Sequence, residues 1–275
     1  MNSKAIKRQL LAAIAMVLVA AIALGSSTYA WFVASGTVKA EGMKVQAKSE
    51  GGLAIRWAGK TSELWGTTAS AKMDDAKALL PASTATLAKW TYAKAEKASA
   101  STAEASSYTD ITANVFSGTD SAFGDNDYVV MQPFEIRSTA KDKLAKGLYV
   151  SGVNVTRGDN QDKDLDKSIR VGVRMKSTDG FVGNYIYAPI SGGSESYIWH
   201  AVAVDDTNTT VTLATAGEDS QLLAKDQTVP AVEGNAVKVQ VFIWYEGEDT
   251  KLYSDNYVAN DLDVTVSFAS YGFEA

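Results

Sequence analysis

The 275-residue chain has no cysteine and a single histidine, His200. The first absence excludes disulfides, thiolate nucleophiles and cysteine-ligated zinc, so stability has to come from a packed core. The second excludes a pair of imidazoles on one metal and the His-Glu-x-x-His arrangement. His200 follows Tyr197-Ile198-Trp199 in a strand-prone run and reads as a structural residue. Neither a Gly-x-Ser-x-Gly elbow nor a Gly-x-Gly-x-x-Gly phosphate loop is present; Gly42, Gly51 and Gly52 read as turn residues. No residue is assigned a catalytic role, and a non-enzymatic protein is expected. Basic charge is also short: 26 Lys and Arg stand against 32 Asp and Glu, a net charge of −6 with no basic cluster. Such a chain repels nucleic acid and anionic lipid surfaces, so neither is expected as a partner.

What the chain does have is a distinctive beginning. Lys4, Lys7 and Arg8 precede an uncharged apolar run over residues 10–25, and small residues follow as far as Ala30. This is the order of a secretory signal, with Thr28 and Ala30 at the −3 and −1 positions and cleavage between Ala30 and Trp31. As a helix the run spans roughly 24 Å at about 1.5 Å per residue, against a bilayer core of about 30 Å. Residues 1–30 are therefore expected to be a signal helix that is removed. Retention as a membrane anchor is the alternative, because no charge interrupts residues 9–38. Cleavage would leave 23 basic against 32 acidic side chains, a net charge of −9. It would also expose a new, apolar and strand-prone N-terminus, Trp31-Phe32-Val33.

The body of the chain, residues 31–275, reads as one all-β domain. Val38, Ala40, Val45 and Ala47 alternate with polar neighbours across a break near Gly42, and residues 53–58 follow as a second strand. Residues 73–80, stopped by Pro81, are the best helical candidate. An insertion is expected over about residues 59–125. Its Ala/Ser/Thr/Lys-rich part, residues 82–113, reads as a poorly packing surface loop with a partial helix, pegged by Trp90 or Tyr92. Strands then come densely, over residues 128–137, 148–156, 168–175, 196–204, 210–215, 236–245 and 262–270. The last is the cleanest, with Leu262, Val264, Val266 and Phe268 on one face and Asp263, Thr265 and Ser267 on the other. Many strands and few helices argue for an antiparallel sandwich, jelly-roll-like, with the partly helical low-complexity insertion hung on it.

Two constellations resemble binding chemistry. Asp162, Asp164 and Asp166 alternate as calcium ligands do, but Lys167 stands where an EF-hand frame needs Gly, and Val173 where it needs a bidentate Glu. A solvated loop is the preferred reading, calcium the weaker one, and no other cofactor is expected. Trp57, Trp65, Trp90, Trp199 and Trp244, with Tyr185, Tyr187 and Tyr197, would suit a sugar-stacking face, but sheet packing explains aromatics in strands more simply.

The junction Ser26-Ser27-Thr28-Tyr29-Ala30-Trp31-Phe32, followed by Ala34-Ser35-Gly36-Thr37-Val38, resembles the N-termini of the TasA/camelysin group of exported bacterial proteins. Pro133-Phe134-Glu135-Ile136, the run from Val239 to Asp249 and the closing strand from Leu262 to Phe268 are similar to strands of that group and its clostridial-type relatives. The specific part of the match covers about a dozen residues at the junction. The chain departs from the group in the insertion over residues 59–125 and in lacking an Asn-Leu-x-Pro-Gly-Asp turn. The resemblance implies cleavage by a dedicated signal peptidase, SipW, and a place outside the cell as a subunit of a biofilm-matrix fibre. It also implies assembly by donor-strand exchange: the segment with Trp31, Phe32, Val33 and Val38 would fill an open sheet edge of the next copy, giving a head-to-tail homopolymer. The alternative is a monomeric cell-surface binding module for glycan or calcium, anchored by an uncleaved N-terminal helix.

Overall fold

The computed structural model describes residues 38–40, 44–49, 52–58, 64–72, 77–94, 107–116, 128–157, 168–177, 180–189, 199–205, 208–217, 220–247, 249 and 262–274. In chain order the strands among them are β1 (Val38–Ala40), β2 (Lys44–Ser49), β3 (Leu53–Trp57), β4 (Thr68–Lys72), β5 (Lys77–Leu79), β6 (Ala82–Ser83), β7 (Thr91–Lys94) and β8 (Ser107–Asp110). They continue as β9 (Val130–Ser138), β10 (Ala145–Arg157), β11 (Ile169–Ser177), β12 (Gly180–Pro189), β13 (Trp199–Asp205), β14 (Asn208–Thr215), β15 (Gln221–Thr228), β16 (Val237–Tyr245), β17 (Leu262–Ala269) and β18 (Gly272–Phe273). The described helices are one turn at Thr112–Val115 and a 3-10 turn at Glu233–Asn235. Across the described residues the protein is all-β.

Two large sheets face each other. One runs β14-β13-β12-β11-β16-β9-β3, the other β15-β10-β17-β2-β4 with β18 beside β10. Period-two alternation places one side chain in two between them. Phe134 and Ile136 of β9, Val171 and Val173 of β11, and Val239, Val241 and Ile243 of β16 come from the first sheet. Val150, Val153 and Val155 of β10 and Val264, Val266 and Phe268 of β17 come from the second, and all belong to one buried cluster. The sandwich expected from the strand pattern is thus formed. The expected antiparallel order holds at every described strand pair but one: β2 runs parallel to β17, with Val45 beside Val264 and Ala47 beside Val266. These strands come from opposite ends of the chain. No hairpin imposes an antiparallel direction on them, and the rest of the fold serves as the crossover that a parallel pair requires.

The break expected near Gly42 divides two strands with different partners. β1 pairs with β5, while β2 lies between β17 and β4. The helix expected over residues 73–80 is not what Lys77–Leu79 adopt. They form β5, with Leu79 opposite Val38 and fully buried in the sandwich core. Helix propensity is a weak preference, and backbone pairing together with burial of Leu79 overrides it.

The described parts of the low-complexity stretch, residues 82–94 and 107–113, pack better than its composition suggests. β6, β7 and β8 form a three-stranded sheet, and Leu87, Trp90, Ile111 and Val115 cluster with Met131, Ile186, Phe242 and Trp244. The last four lie on the face of the seven-stranded sheet that points away from the sandwich core. β16 consequently alternates between two cores, with Val241 and Ile243 in one and Phe242 and Trp244 in the other. The partial helix is the turn at Thr112–Val115, and the peg is Trp90, fully buried, while Tyr92 is half-buried.

Tyr187 and Tyr245 are fully buried in the sandwich core, and burial pushes both phenols well above tyrosine's ordinary 10.0. Below pH 10 this confers no pH dependence, because both forms of the chain carry neutral phenols. Above it the unfolded chain ionises while the folded chain keeps its protons. Stability should therefore fall by up to about 1.4 kcal/mol per pH unit for each tyrosine. The urea midpoint is expected to be flat with respect to these groups up to about pH 9 and to drop from pH 10 upward. The Tyr187→Phe/Tyr245→Phe double variant should lose most of that drop. A wild-type profile no steeper than the variant's would refute the expectation.

Candidate functional site

The turn over residues 84–89 is built from its own threonines. Thr84 Oγ1 donates to the Lys89 carbonyl at 2.6 Å and accepts from the Leu87 amide at 3.0 Å. Thr86 Oγ1 accepts from the Ala88 and Lys89 amides at 3.3 and 3.2 Å. These hydroxyl-to-backbone bonds close the turn locally. They hold Leu87 at φ +54°, an unusual conformation for a branched residue, with its side chain fully buried against the sheet. Glycine at position 172 makes room: a Cβ there would stand 2.5 Å from Leu87 Cδ2. The Leu87 carbonyl accepts from Arg174 Nη1 at 2.9 Å and from Trp90 Nε1 at 3.3 Å. Arg174 also donates to Gln240 Oε1 from Nε and Nη2, and its guanidinium lies 5.1 Å from the Phe116 ring and 5.3 Å from the Phe242 ring.

This turn forms one wall of an open cleft of about 610 Å³. Ser83, Thr84, Thr86, Thr91 and Lys89 line that wall; Arg170, Glu246 and Asp249, from the start of β11 and just beyond β16, line the other. The walls are joined by backbone. Ala82 bridges to Glu246, and the Gly247 amide donates to the Ala82 carbonyl at 3.1 Å. Glu246 is held on both oxygens: Oε1 accepts from the Ser83 hydroxyl, and Oε2 from Trp244 Nε1 at 3.1 Å. Arg170 Nη2 pairs with Asp249 Oδ2 at 2.5 Å. Among the described residues the cleft is lined by two cations, two carboxylates and four side-chain hydroxyls.

The residues singled out from sequence fall elsewhere. Ala30, Trp31, Phe32, Val33, Asp162, Asp164, Asp166 and Tyr197 lie outside the described residues. Val38 is on β1, opposite Leu79 of the same chain. His200 and Trp199 are on β13, opposite Ala188 and Pro189 of β12. Trp57, Trp90, Trp244, Tyr185 and Tyr187 are buried, as sheet packing required. Trp65 is half-buried, and the guanidiniums of Arg56 and Arg137 rest on its ring, 4.6 and 4.4 Å from the centroid. Among the described residues no group of three or more His, Asp or Glu is placed to hold a metal, and no helix is long and apolar enough to cross a membrane.

Sequence reading passed over the cleft because its hydroxyls sit in the stretch taken for a loose loop. The available signal was Thr84-x-Thr86 between Pro81 and Trp90: two turn-forming hydroxyls flanked by a strand-breaker and an apolar anchor. No family model, curated protein or solved structure matches the chain.

Proposed function

We propose that the chain is an exported structural subunit of an extracellular fibre or matrix, assembled head to tail through its N-terminal segment. In this reading signal peptidase cuts between Ala30 and Trp31, and the freed segment joins an open sheet edge of the next copy in a jelly-roll-like sandwich. The observation that supports it is the sequence immediately before β1. β1 is three residues long, pairs only with β5 among the described residues, and follows directly on the uncharged run containing Trp31, Phe32 and Val33. Burying two such aromatics would contribute several kcal/mol at roughly 25 cal/mol per Å². Backbone bonds along the edge would supply register. A head-to-tail contact that does not close on itself makes a filament.

Negative-stain electron microscopy tests this directly. Protein beginning at Trp31 is expected to form fibres. Removing residues 31–37 leaves the β1–β5 pair in place and should abolish them without moving the denaturation midpoint. Fibres of unchanged length from the shortened protein would rule out the donor segment. A secreted product that still begins at Met1 would rule out its release.

A further inference from the structure

We infer that the end of the sandwich where β9 runs out receives residues 31–37 of the next copy, an inference that rests on head-to-tail assembly and locates its acceptor. Among the described residues three large apolar side chains are exposed: Leu64 at 87 %, Val232 at 60 % and Phe273 at 43 %. They come from three separate segments, yet all gather around residues 137–139. Leu64 precedes Trp65, whose ring carries the Arg137 guanidinium 4.4 Å from its centroid. Val232 follows closely on Pro230, whose carbonyl accepts from the Ser138 amide at 2.9 Å. The Phe273 ring lies against Gly52, whose carbonyl accepts from the Thr139 amide at 2.9 Å. Scattered exposed apolar residues are ordinary, whereas a group of them marks an interaction surface. β3, the terminal strand of the seven-stranded sheet, begins at the same end, with Leu53 opposite Ser138.

The polar groups there suit a peptide. Arg137 Nε and Trp65 Nε1 are buried without a hydrogen-bond acceptor. Glu135, on the same face of β9 as Arg137, pairs instead with Arg56 at 2.6 Å. Both orphaned groups are donors, and the carbonyls of an extended segment are acceptors. Leu64, Val232 and Phe273 offer cover to Trp31 and Phe32, and an uncharged segment brings no ion to desolvate. Arginine beside tryptophan is also the composition of interface hot spots.

The occupant follows from the position of Val38, to which the segment is joined. β16 leaves the β9 end at Val237, opposite Ile136, and reaches Tyr245 roughly 26 Å away at about 3.3 Å per residue. Val38 stands opposite Leu79, three residues before Ala82, and Ala82 bridges to Glu246, just past Tyr245. Three residues span at most about 11 Å, so Val38 lies nearer the end remote from Arg137. The segment thus springs from one end of a copy while the apolar group stands at the other. Contact between unlike ends is heterologous, and it propagates.

Mixing two blocked chains tests the acceptor. The first begins at Trp31 and carries Leu64→Glu and Val232→Glu, so its segment is intact and its receiving end is charged. Both side chains are more than half exposed, so the fold is kept, and an unchanged urea midpoint checks this. The second lacks residues 31–37 and keeps only the receiving end. By light scattering each alone is expected to be monomeric, and together they should give a one-to-one complex without fibres. Arg137→Gln in the unblocked chain should raise the concentration needed for fibres at least about threefold. Charge added instead at the exposed Thr109→Glu and Ala113→Glu should leave fibres as they are. If the Leu64/Val232 variant still forms fibres, this surface is not the acceptor, while head-to-tail assembly stands. If the unblocked chain forms no fibres and the mixture no complex, both fall. A mixture that stays monomeric beside a fibre-forming unblocked chain, or loss of fibres from the Thr109/Ala113 variant, overturns the acceptor alone.

Discussion

Trp90→Ala is expected to destabilise the protein by about 3–5 kcal/mol, the usual cost of deleting a large buried aromatic. Trp90 is fully buried, stands edge-on to Trp244 at 5.0 Å between ring centroids, and lies 5.8 Å from Phe242. It is the largest contribution of residues 82–116 to the second core, so its loss should act first on that layer. Released from the sheet, the layer would uncover Phe242, Trp244, Met131 and Ile186, an apolar face of the kind that exposed patches on folded proteins rarely match. Three readouts should therefore move together: a lower urea midpoint, faster proteolysis within residues 82–116, and binding of a hydrophobic dye. Far-ultraviolet circular dichroism should change little, because the sandwich core draws on the other face of the same strands. Trp90→Phe keeps a ring in place and should cost less than half as much. A loss below about 1 kcal/mol for the alanine variant, with no gain in dye binding, would show that the layer is held by something other than this peg.

Gly183→Ala should cost about 3–6 kcal/mol at a site with no large side chain of its own. Gly183 has φ +72° and lies at a bulge in β12: Arg174 faces Asn184 and Lys176 faces Phe181, so β12 carries one extra residue. At this point the backbones of the two sheets come together. A Cβ would stand 2.7 Å from the Gln221 carbonyl oxygen and 2.9 Å from Leu222 Cα. Neither is the yielding tip of a side chain, so the strands must part. The same Gln221 carbonyl accepts the Tyr185 hydroxyl at 2.7 Å, a bond the displacement would lengthen. Left-handed strain contributes about 1–2 kcal/mol for alanine, overpacking about 1–3, and the hydrogen bond about 1. Gly183→Asn separates these terms, since asparagine tolerates the left-handed region. It should relieve the strain and keep the clash. Urea denaturation of both variants decides the matter; an alanine variant within about 0.5 kcal/mol of wild type would mean that the sheets have slack here.

The strand content was legible along the chain because a strand facing one core writes its own signature, one apolar residue in two. Leu262, Val264, Val266 and Phe268 show it, and β17 forms where the pattern lies. β16 was legible as a strand, while the reason for its unbroken apolar run was not: Phe242 and Trp244 serve a second core whose other half begins at Ala82. β12 and β15 escaped for the opposite reason. Gly183 interrupts β12, and Lys225, Asp226 and Gln227 give the exposed end of β15 the composition of a loop. The helix expected over residues 73–80 failed at β5 because the partner that claims Lys77–Leu79 is β1, near the other end of the local sequence pattern.

What the sequence determined by itself is therefore the local chemistry: an all-β chain without thiols or paired imidazoles, acidic, and strand-forming wherever apolar residues alternate. What only the tertiary structure decided is what the outer faces of the strands do. Residues 82–94 and 107–116, on either side of an Ala/Ser/Thr-rich run, become a packed layer once a sheet presents Phe242 and Trp244 to them. Hydroxyls that merely close a turn become the wall of a cleft once Arg170, Glu246 and Asp249 arrive opposite them. Periodicity is a property of neighbours in the chain, whereas burial of both faces of a strand, and the meeting of charges across a cleft, depend on residues far apart in sequence.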